Sequence, residues 1–380
     1  MRVAVIHDWL AASGGAEQVL EQILLCYPEA DIFTLVDFMP EGERGFLSGH
    51  KITTSFVQKL PFARKHFRYY LPLMPRAIES FDLSQYDLVL SSSWAFAKGV
   101  MTRAPQTHIS YVYTPIRYAW DLQEVYLDQA LGRSLLKGVA RYLLAYLRAW
   151  DLKTSRRGDC LIATSNFIEE RITKYWQREC LVLNPPVALD DFTNTEVKED
   201  FYVTVSRLVH YKVVETLVEA FNLMPGKRLV VIGDGPMFSR LQAMAGPNVE
   251  LLGYQPRKVV IDHLQRARAF VFAAHEDFGI VAVEAQACGT PVIAYGQGGA
   301  LDSVIPYEDT VTSNDACSPT GLFFDQQIPT SVVDAVERFE ALEEGISARA
   351  CAANAARFAP EKFRREFMAI VEQTIENAAH

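Results

Sequence analysis

Short apolar runs recur along the chain, each followed by a stretch whose apolar positions repeat at helical spacing. "VAVI" (residues 3–6), "DLVLSS" (from Asp87), "HISYVY" (from His108), "CLIAT" (from Cys160) and "CLVLN" (from Cys180) form a first series. After Asn184 the stretch "NPPVALDDFTNTEVKED", with two prolines and a cluster of polar and acidic residues, reads as an interdomain linker. The alternation then restarts with "FYVTVS" (from Phe201), "RLVVIG" (from Arg228), "NVELLG" (from Asn248), "AFVFAA" (from Ala269) and "PVIAY" (from Pro291). Fully apolar strands bounded by Gly or Pro and separated by helices predict parallel sheets covered on both faces, in two doubly wound α/β domains. No repeat or low-complexity tract suggests another architecture.

Composition agrees: 380 residues exceed what one hydrophobic core usually organises, and 49% hydrophobic with 22% charged residues is a globular balance. No apolar run approaches the ~20 residues that span a bilayer. "MRVAVIHDWL" reads as a first strand and not as a signal peptide, so a cytoplasmic location is expected. The six cysteines show no C-x-x-C spacing and no zinc-type clustering with histidine, which predicts free thiols.

Charge changes the picture only when the chain is divided. Residues 1–190 carry 21 Lys+Arg against 20 Asp+Glu, the remainder 16 against 26. Residues 59–76, "KLPFARKHFRYYLPLMPR", hold five basic residues and no acid, and residues 131–150, "LGRSLLKGVARYLLAYLRAW", also lack acids. In the second segment Arg133, Lys137, Arg141 and Arg148 share one helical stripe, with Leu135, Leu136, Val139, Leu143, Leu147 and Trp150 on another. Either an anionic membrane surface or the protein's own core can receive such an apolar stripe, and two basic segments in one half favour the membrane.

In doubly wound folds ligands bind beyond the carboxyl ends of strands, where helix N-termini attract anions. "HEDFG" leaves the strand "AFVFAA" there, placing Glu276 ahead of the helix "IVAVEAQACG" and Glu284 within it. An acid ahead of a helix complements its dipole, whereas Glu284 among valines and alanines calls for a bonded partner. Arg207 and Lys212 in "SRLVHYK" follow the first strand of the second series and supply cations suited to a diphosphate. Gly14 and Gly15 in "AASGGAEQVL" permit close backbone approach after the first strand, as a tight turn also would.

"SRLVHYK", "VIGDGP", "GYQPRKVVIDHLQRA" and "HEDFGIVAVEAQACGTPVIAYGQGGALDSV" together resemble the donor-binding domain of the retaining family 4 glycosyltransferases. "GGAE" (residues 14–17), "YTPIRYAWD" (113–121) and "ATSNFIEERI" (163–172) resemble the first half of its mannosyltransferase-like branch. The resemblance implies a GT-B fold of two facing Rossmann-like domains: residues 1–190 binding acceptor, 191–358 binding nucleotide sugar, and 359–380 as a helix crossing back to the first domain. It implies that Arg207 and Lys212 clamp the diphosphate and that Glu276 contacts the transferred sugar. The backbone N–H groups of Phe278, Gly279, Ile280 and Val281 would hold sugar and phosphates, Glu284 would accept from ribose hydroxyls, and Gly14 and Gly15 would line the diphosphate.

Tyr113 stands where that branch has histidine in an H-T-P-x-R-Y motif, and Trp94 where related sequences often have another. Tyr113 is the expected replacement at the sugar, with His108 as a second candidate. No D-x-D triplet occurs, so no metal or other cofactor is expected, and neither a G-x-G-x-x-G nor a G-x4-G-K-[ST] is present. Glycoside hydrolysis by paired acids leaves Arg207 and Lys212 unexplained. The expected activity is hexosyl transfer with retention, from GDP-mannose, to a glycan acceptor linked to polyprenyl diphosphate, at the cytoplasmic face of a membrane and without nucleic acid. A UDP-sugar donor, an epimerase acting on a UDP-sugar, and a weakened nucleotide-sugar- or glycan-binding protein are the alternatives.

Overall fold

The computed structural model describes residues 1–12, 14–121, 123, 127, 136–195, 197–307, 318–342 and 346–379. The chain divides into two compact units, residues 1–186 with 360–380, and residues 187–359. The break follows Pro186: Val187 is buried in the second unit, where its N–H donates to Phe358 O (2.8 Å).

The first unit holds β1 (Val3–His7), β2 (Asp31–Thr34), β3 (Ile52–Thr54), β4 (Leu88–Ser93), β5 (Thr107–Val112), β6 (Cys160–Ala163) and β7 (Leu181–Val182). They lie in the order β3-β2-β1-β4-β5-β6-β7. The second unit holds β8 (Tyr202–Val205), β9 (Leu229–Ile232), β10 (Val249–Gly253), β11 (Ala269–Phe272), β12 (Val292–Tyr295) and β13 (Gly321–Phe324), in the order β10-β9-β8-β11-β12-β13. Strands within each sheet pair in parallel. Alternation within strands feeds two cores per sheet, as in β1, where Ala4 and Ile6 join one cluster and Val3 and Val5 the other. The strand order reverses between β1 and β4 in one unit and between β8 and β11 in the other, and these reversals are where doubly wound sheets take ligands.

The sequence pattern did not single out β2, β3 or β13. The three residues of β3 are all half-buried at a sheet edge, and β13 spans only four residues behind a glycine. The final helix, Pro360–Ala379, belongs to the first unit: Phe363, Phe367 and Val371 are buried in its core, Phe363 lies edge-on to Tyr111, and Arg364 bonds Gln22.

The second basic segment forms the helix Leu136–Thr154, while Arg133, Leu135 and the Leu136 side chain lie outside the described residues. Leu147 and Trp150 enter the core beside Leu144, which answers much of the apolar stripe. Val139 does not follow them and is 59% exposed, although it lies within about 20° of Trp150 around the helix, about three turns nearer the N-terminal end. Nor is Arg148 on a solvated stripe: its guanidinium lies 5.3 Å from the Trp120 ring and its Nε donates to Ala119 O (2.8 Å). Residues 59–76 form short helical turns that bury Phe67 and Met74 and leave Phe62 and Tyr69 outward, 82% and 80% exposed. Among the described residues no helix is long and apolar enough to cross a membrane.

Candidate active site

At the β8/β11 reversal the chain leaving β8 passes through Ser206 and Arg207 into a short turn, His210–Lys212, and then the helix Val214–Asn222. The chain leaving β11 passes through His275 and Glu276 to the helix Ile280–Ala287. The two loops meet in an ion pair between Lys212 and Glu276, whose side chains are only 18% and 16% exposed. Arg207 stays exposed, its guanidinium donating to the Tyr211 hydroxyl (3.3 Å). The 276–279 turn owes its shape to two glycines. Gly279 is left-handed (φ +86°) and opens the helix, so that the backbone N–H groups of Ile280 and Val281 emerge at its N-terminus. Gly299 packs so closely that a Cβ on it would lie 2.2 Å from Phe278 Cα, and its N–H donates to Glu276 O (2.9 Å).

Glu284 is buried in the middle of that helix and its partner is Arg257, the first residue of the helix Arg257–Arg266, whose Nη1 donates to Glu284 Oε1 (3.1 Å). Arg257 also reaches Asp191 Oδ2 through Nε (3.2 Å) and lies 5.1 Å from the Phe192 ring. The acid in an apolar helix is thus held by a guanidinium from a neighbouring helix.

At the β1/β4 reversal the picture differs. Asp8, following β1, is fully buried and accepts four backbone N–H bonds, from Trp94 (2.7 Å), Ala95 (2.9 Å), Phe96 (2.6 Å) and Ala97 (2.7 Å), tying β1 to the turn after β4. Burial raises its carboxyl above the ordinary range while those N–H groups pull the other way. His7, also fully buried, meets Ser92 Oγ through Nδ1 (3.0 Å), and its ring lies edge-on to Trp94 at 4.9 Å. Tyr113 does not present a free hydroxyl to a sugar: it bonds Ser92 Oγ (2.9 Å) and donates to Ala16 O (3.0 Å), and burial pushes its phenol well above the usual range. His108 is no substitute, because it is fully buried against Ser91 Oγ (2.9 Å) and desolvation depresses its pKa to about 4. Gly14 precedes the helix Gly15–Cys26, and Ser13 lies outside the described residues.

Two family models match the chain in tandem, Glycosyltransferase Family 4 over residues 13–190 and Glycosyl transferases group 1 over residues 189–358. The chain is a family 4 glycosyltransferase. Among curated relatives it is similar to a GDP-mannose-dependent monoacylated alpha-(1-6)-phosphatidylinositol monomannoside mannosyltransferase of Corynebacterium glutamicum. That match is 34% identical over 32% of this chain and 37% of the relative. It is also similar to a D-inositol 3-phosphate glycosyltransferase of Mycobacteroides abscessus, 28% identical over 56% of this chain and 52% of the relative. The chain thus spans about half or less of the length of these curated relatives. In fold it resembles Anabaena Alr3699/HepE, solved with UDP and glucose, at a TM-score of 0.69 with 16% identity, covering 97% of this chain and 99% of that one. Sucrose-phosphate synthase of Thermosynechococcus elongatus gives a TM-score of 0.69 with 18% identity over 99% and 100% of the two chains. These neighbours have the GT-B fold, and this glycosyltransferase shares it.

The structure therefore brings Lys212 and Glu276 together, puts Arg207 on the same loop as Lys212, and holds Glu284 in the helix that Gly279 opens. Gly14, Gly15 and Tyr113 lie in the other unit. Sequence reasoning missed Arg257 and Gly299, both within quoted motifs, and it missed the contact between His7 and Ser92. Among the described residues no three His, Cys, Asp or Glu side chains converge as a metal site.

Proposed function

We propose that this glycosyltransferase moves mannose from GDP-mannose, with retention, to a glycan acceptor carried on polyprenyl diphosphate. The observation that carries the reading is the meeting of Lys212 and Glu276 at the β8/β11 reversal, beside Arg207 and ahead of a helix N-terminus. An entering diphosphate draws the Lys212 ammonium from Glu276, since two phosphates offer more negative charge than one carboxylate. Lys212, Arg207 and the N–H groups of Ile280 and Val281 then stabilise the charge that grows on the diphosphate as the glycosidic bond breaks. Glu276, released, accepts hydrogen bonds from hydroxyls of the transferred sugar. Glu284 accepts from ribose hydroxyls beside Arg257. The resemblance to a GDP-mannose-dependent relative supports guanine and mannose as base and sugar.

With these cations in place the reaction is expected to need no divalent metal. The test is a donor screen reading nucleotide diphosphate release with lipid-linked acceptors, with and without EDTA, and proton NMR of the new anomeric centre. Turnover with GDP-mannose and an axial product linkage are expected. Donor bound without nucleotide release would identify a binding protein. Preference for a UDP-sugar, or activity lost in EDTA and restored by manganese, would overturn the donor or the metal assignment.

A further inference from the structure

The stretch that opens the second unit is folded onto it and is not a free connector. Val187 and Phe192 are buried in the same apolar cluster as Ala282, Val283 and Ala285 of the helix Ile280–Ala287. Beyond them the chain runs along the helix Arg257–Arg266, where Gln265 Nε2 donates to Thr193 Oγ1 (2.7 Å) and Arg266 pairs with Glu199 (2.8 Å). Lys198 Nζ donates to Gln265 O (2.8 Å), Thr290 Oγ1 (2.8 Å) and Cys288 O (3.1 Å). One ammonium thus fastens the C-terminal ends of both helices.

At the other end of the helix Arg257–Arg266 the bridge is Arg257. Its Nε donates to Asp191 Oδ2 (3.2 Å), its guanidinium lies 5.1 Å from the Phe192 ring, and its Nη1 donates to Glu284 Oε1 (3.1 Å). A guanidinium is rigid and planar, so fixing Nε and one face also fixes the direction of Nη1. The Glu284 side chain is only 12% exposed, and Arg257 occupies one of its two oxygens. Oε2 makes no hydrogen bond among the described residues, yet it is not sealed from solvent. We propose that Asp191 and Phe192 hold Arg257, and that Arg257 in turn holds the Glu284 carboxylate in the orientation that reads the ribose diol of the donor. The first residues of the second unit are then positioning residues for the nucleotide, a proposal that rests on the ribose reading of Glu284. A free glutamate gives up rotamer freedom when it captures a hydroxyl, whereas one clamped beforehand does not. Affinity for the ribose hydroxyls, and not for the rest of the nucleotide, therefore depends on the clamp.

Calorimetry of the full chain with GDP and with 2′,3′-dideoxy-GDP tests this, or with the corresponding UDP pair if the wild type prefers it. The wild type should bind the nucleotide with hydroxyls more tightly. Equal binding of the two would take Glu284 off the ribose, and the proposal would fall with that reading. Arg257→Lys keeps the charge but cannot bridge two acids. It should lower affinity for the hydroxylated nucleotide about three- to tenfold while affinity for the dideoxy form holds. Asp191 is 64% exposed, so Asp191→Asn leaves the core untouched, and it should cost about two- to threefold with the same selectivity. On a Glu284→Ala background Arg257→Lys should cost nothing further, since the two side chains act as one unit. A purely structural role predicts equal losses for both nucleotides. That result, an undiminished preference for the hydroxyls in either single variant, or additive losses with Glu284→Ala overturns the clamp while leaving the ribose reading in place.

Discussion

Beyond β8 and β11 charged side chains are held against one another or toward solvent, whereas beyond β1 and β4 the polar groups turn inward and bond to the backbone. The two crevices occupy the same place in two sheets of one topology. Lys212, Arg207 and Glu276 sit on loops, with one ion pair and open helix N–H groups between them. Asp8, His7, Ser92 and Tyr113 form a network anchored on Trp94, Ala95, Phe96, Ala97 and Ala16. The first arrangement suits a highly charged ligand, which can displace weak pairs with stronger ones. The second spends its carboxylate and hydroxyls on the backbone and on one another, which holds β1 to the turn after β4.

The most severe test of that contrast removes a cation from the open crevice. Lys212→Ala should lower kcat by about a hundred- to a thousandfold, the cost typical of deleting one donor to a developing oxyanion. Circular dichroism should show the fold intact, because Lys212 and Glu276 sit on loops beyond the strands and outside the buried apolar clusters. Near-wild-type nucleotide release in this variant would dissolve the distinction between the crevices.

The inward network makes a prediction about acid. His108 is held neutral by burial, its pKa lowered from 6.5 to about 4, so between these values the unfolded chain binds a proton that the folded chain does not. Stability is therefore fully present above pH 6.5 and falls as pH drops toward 4, by on the order of 3 kcal/mol for a shift of this size. Chemical denaturation at pH 7 and pH 4.5 reads the loss, and His108→Gln should flatten part of it. An equal pH dependence in wild type and variant would remove His108 from the account.

Glu284→Ala should weaken nucleotide binding by about 1.5 to 3 kcal/mol, the range for a charged hydrogen-bond partner. Calorimetry with GDP measures it. Arg257 is left with Asp191, so Arg257→Ala sharpens the result: if Glu284 acts only by neutralising Arg257, the double variant should recover affinity.

The same contrast explains what the sequence disclosed. Lys212, Arg207, Glu276 and Glu284 lie in contiguous motifs at strand ends, where local spacing already says which residues share a loop or a helix. His7 has its partner 85 positions away, and only the parallel register that sets His7 beside Ser92 reveals it. A histidine between an apolar strand and an acid carries no local mark of that bond. Tyr113 was visible as a departure from a motif, yet its hydroxyl could be assigned to a sugar only while Ser92 and Ala16 were out of view. Strand alternation disclosed the doubly wound class because fully buried strands leave an apolar signature, which the half-buried β3 lacks.

The smallest expected effect concerns a third surface, residues 59–76 of the first unit, where burial of Phe67 and Met74 accounts for only part of the apolar content. Phe62 and Tyr69 point outward beside exposed Arg64 and Lys65, while Arg68 lies with its guanidinium 4.6 Å from the Phe67 ring. On an anionic bilayer each basic residue contributes about 1 kcal/mol, and aromatic rings settle at the interface. Reversing Arg64 and Lys65 to glutamate should therefore weaken co-sedimentation with phosphatidylserine vesicles. Reversing Arg68 as well should add less than either, because its guanidinium already lies over a ring. Binding should decline as salt rises, since exposed charges are screened beyond ~8 Å at physiological ionic strength. Core packing alone makes the opposite forecast, in which the wild type ignores vesicles at any salt. That result would leave Phe62 and Tyr69 as isolated surface rings and would favour a soluble acceptor over one carried on polyprenyl diphosphate.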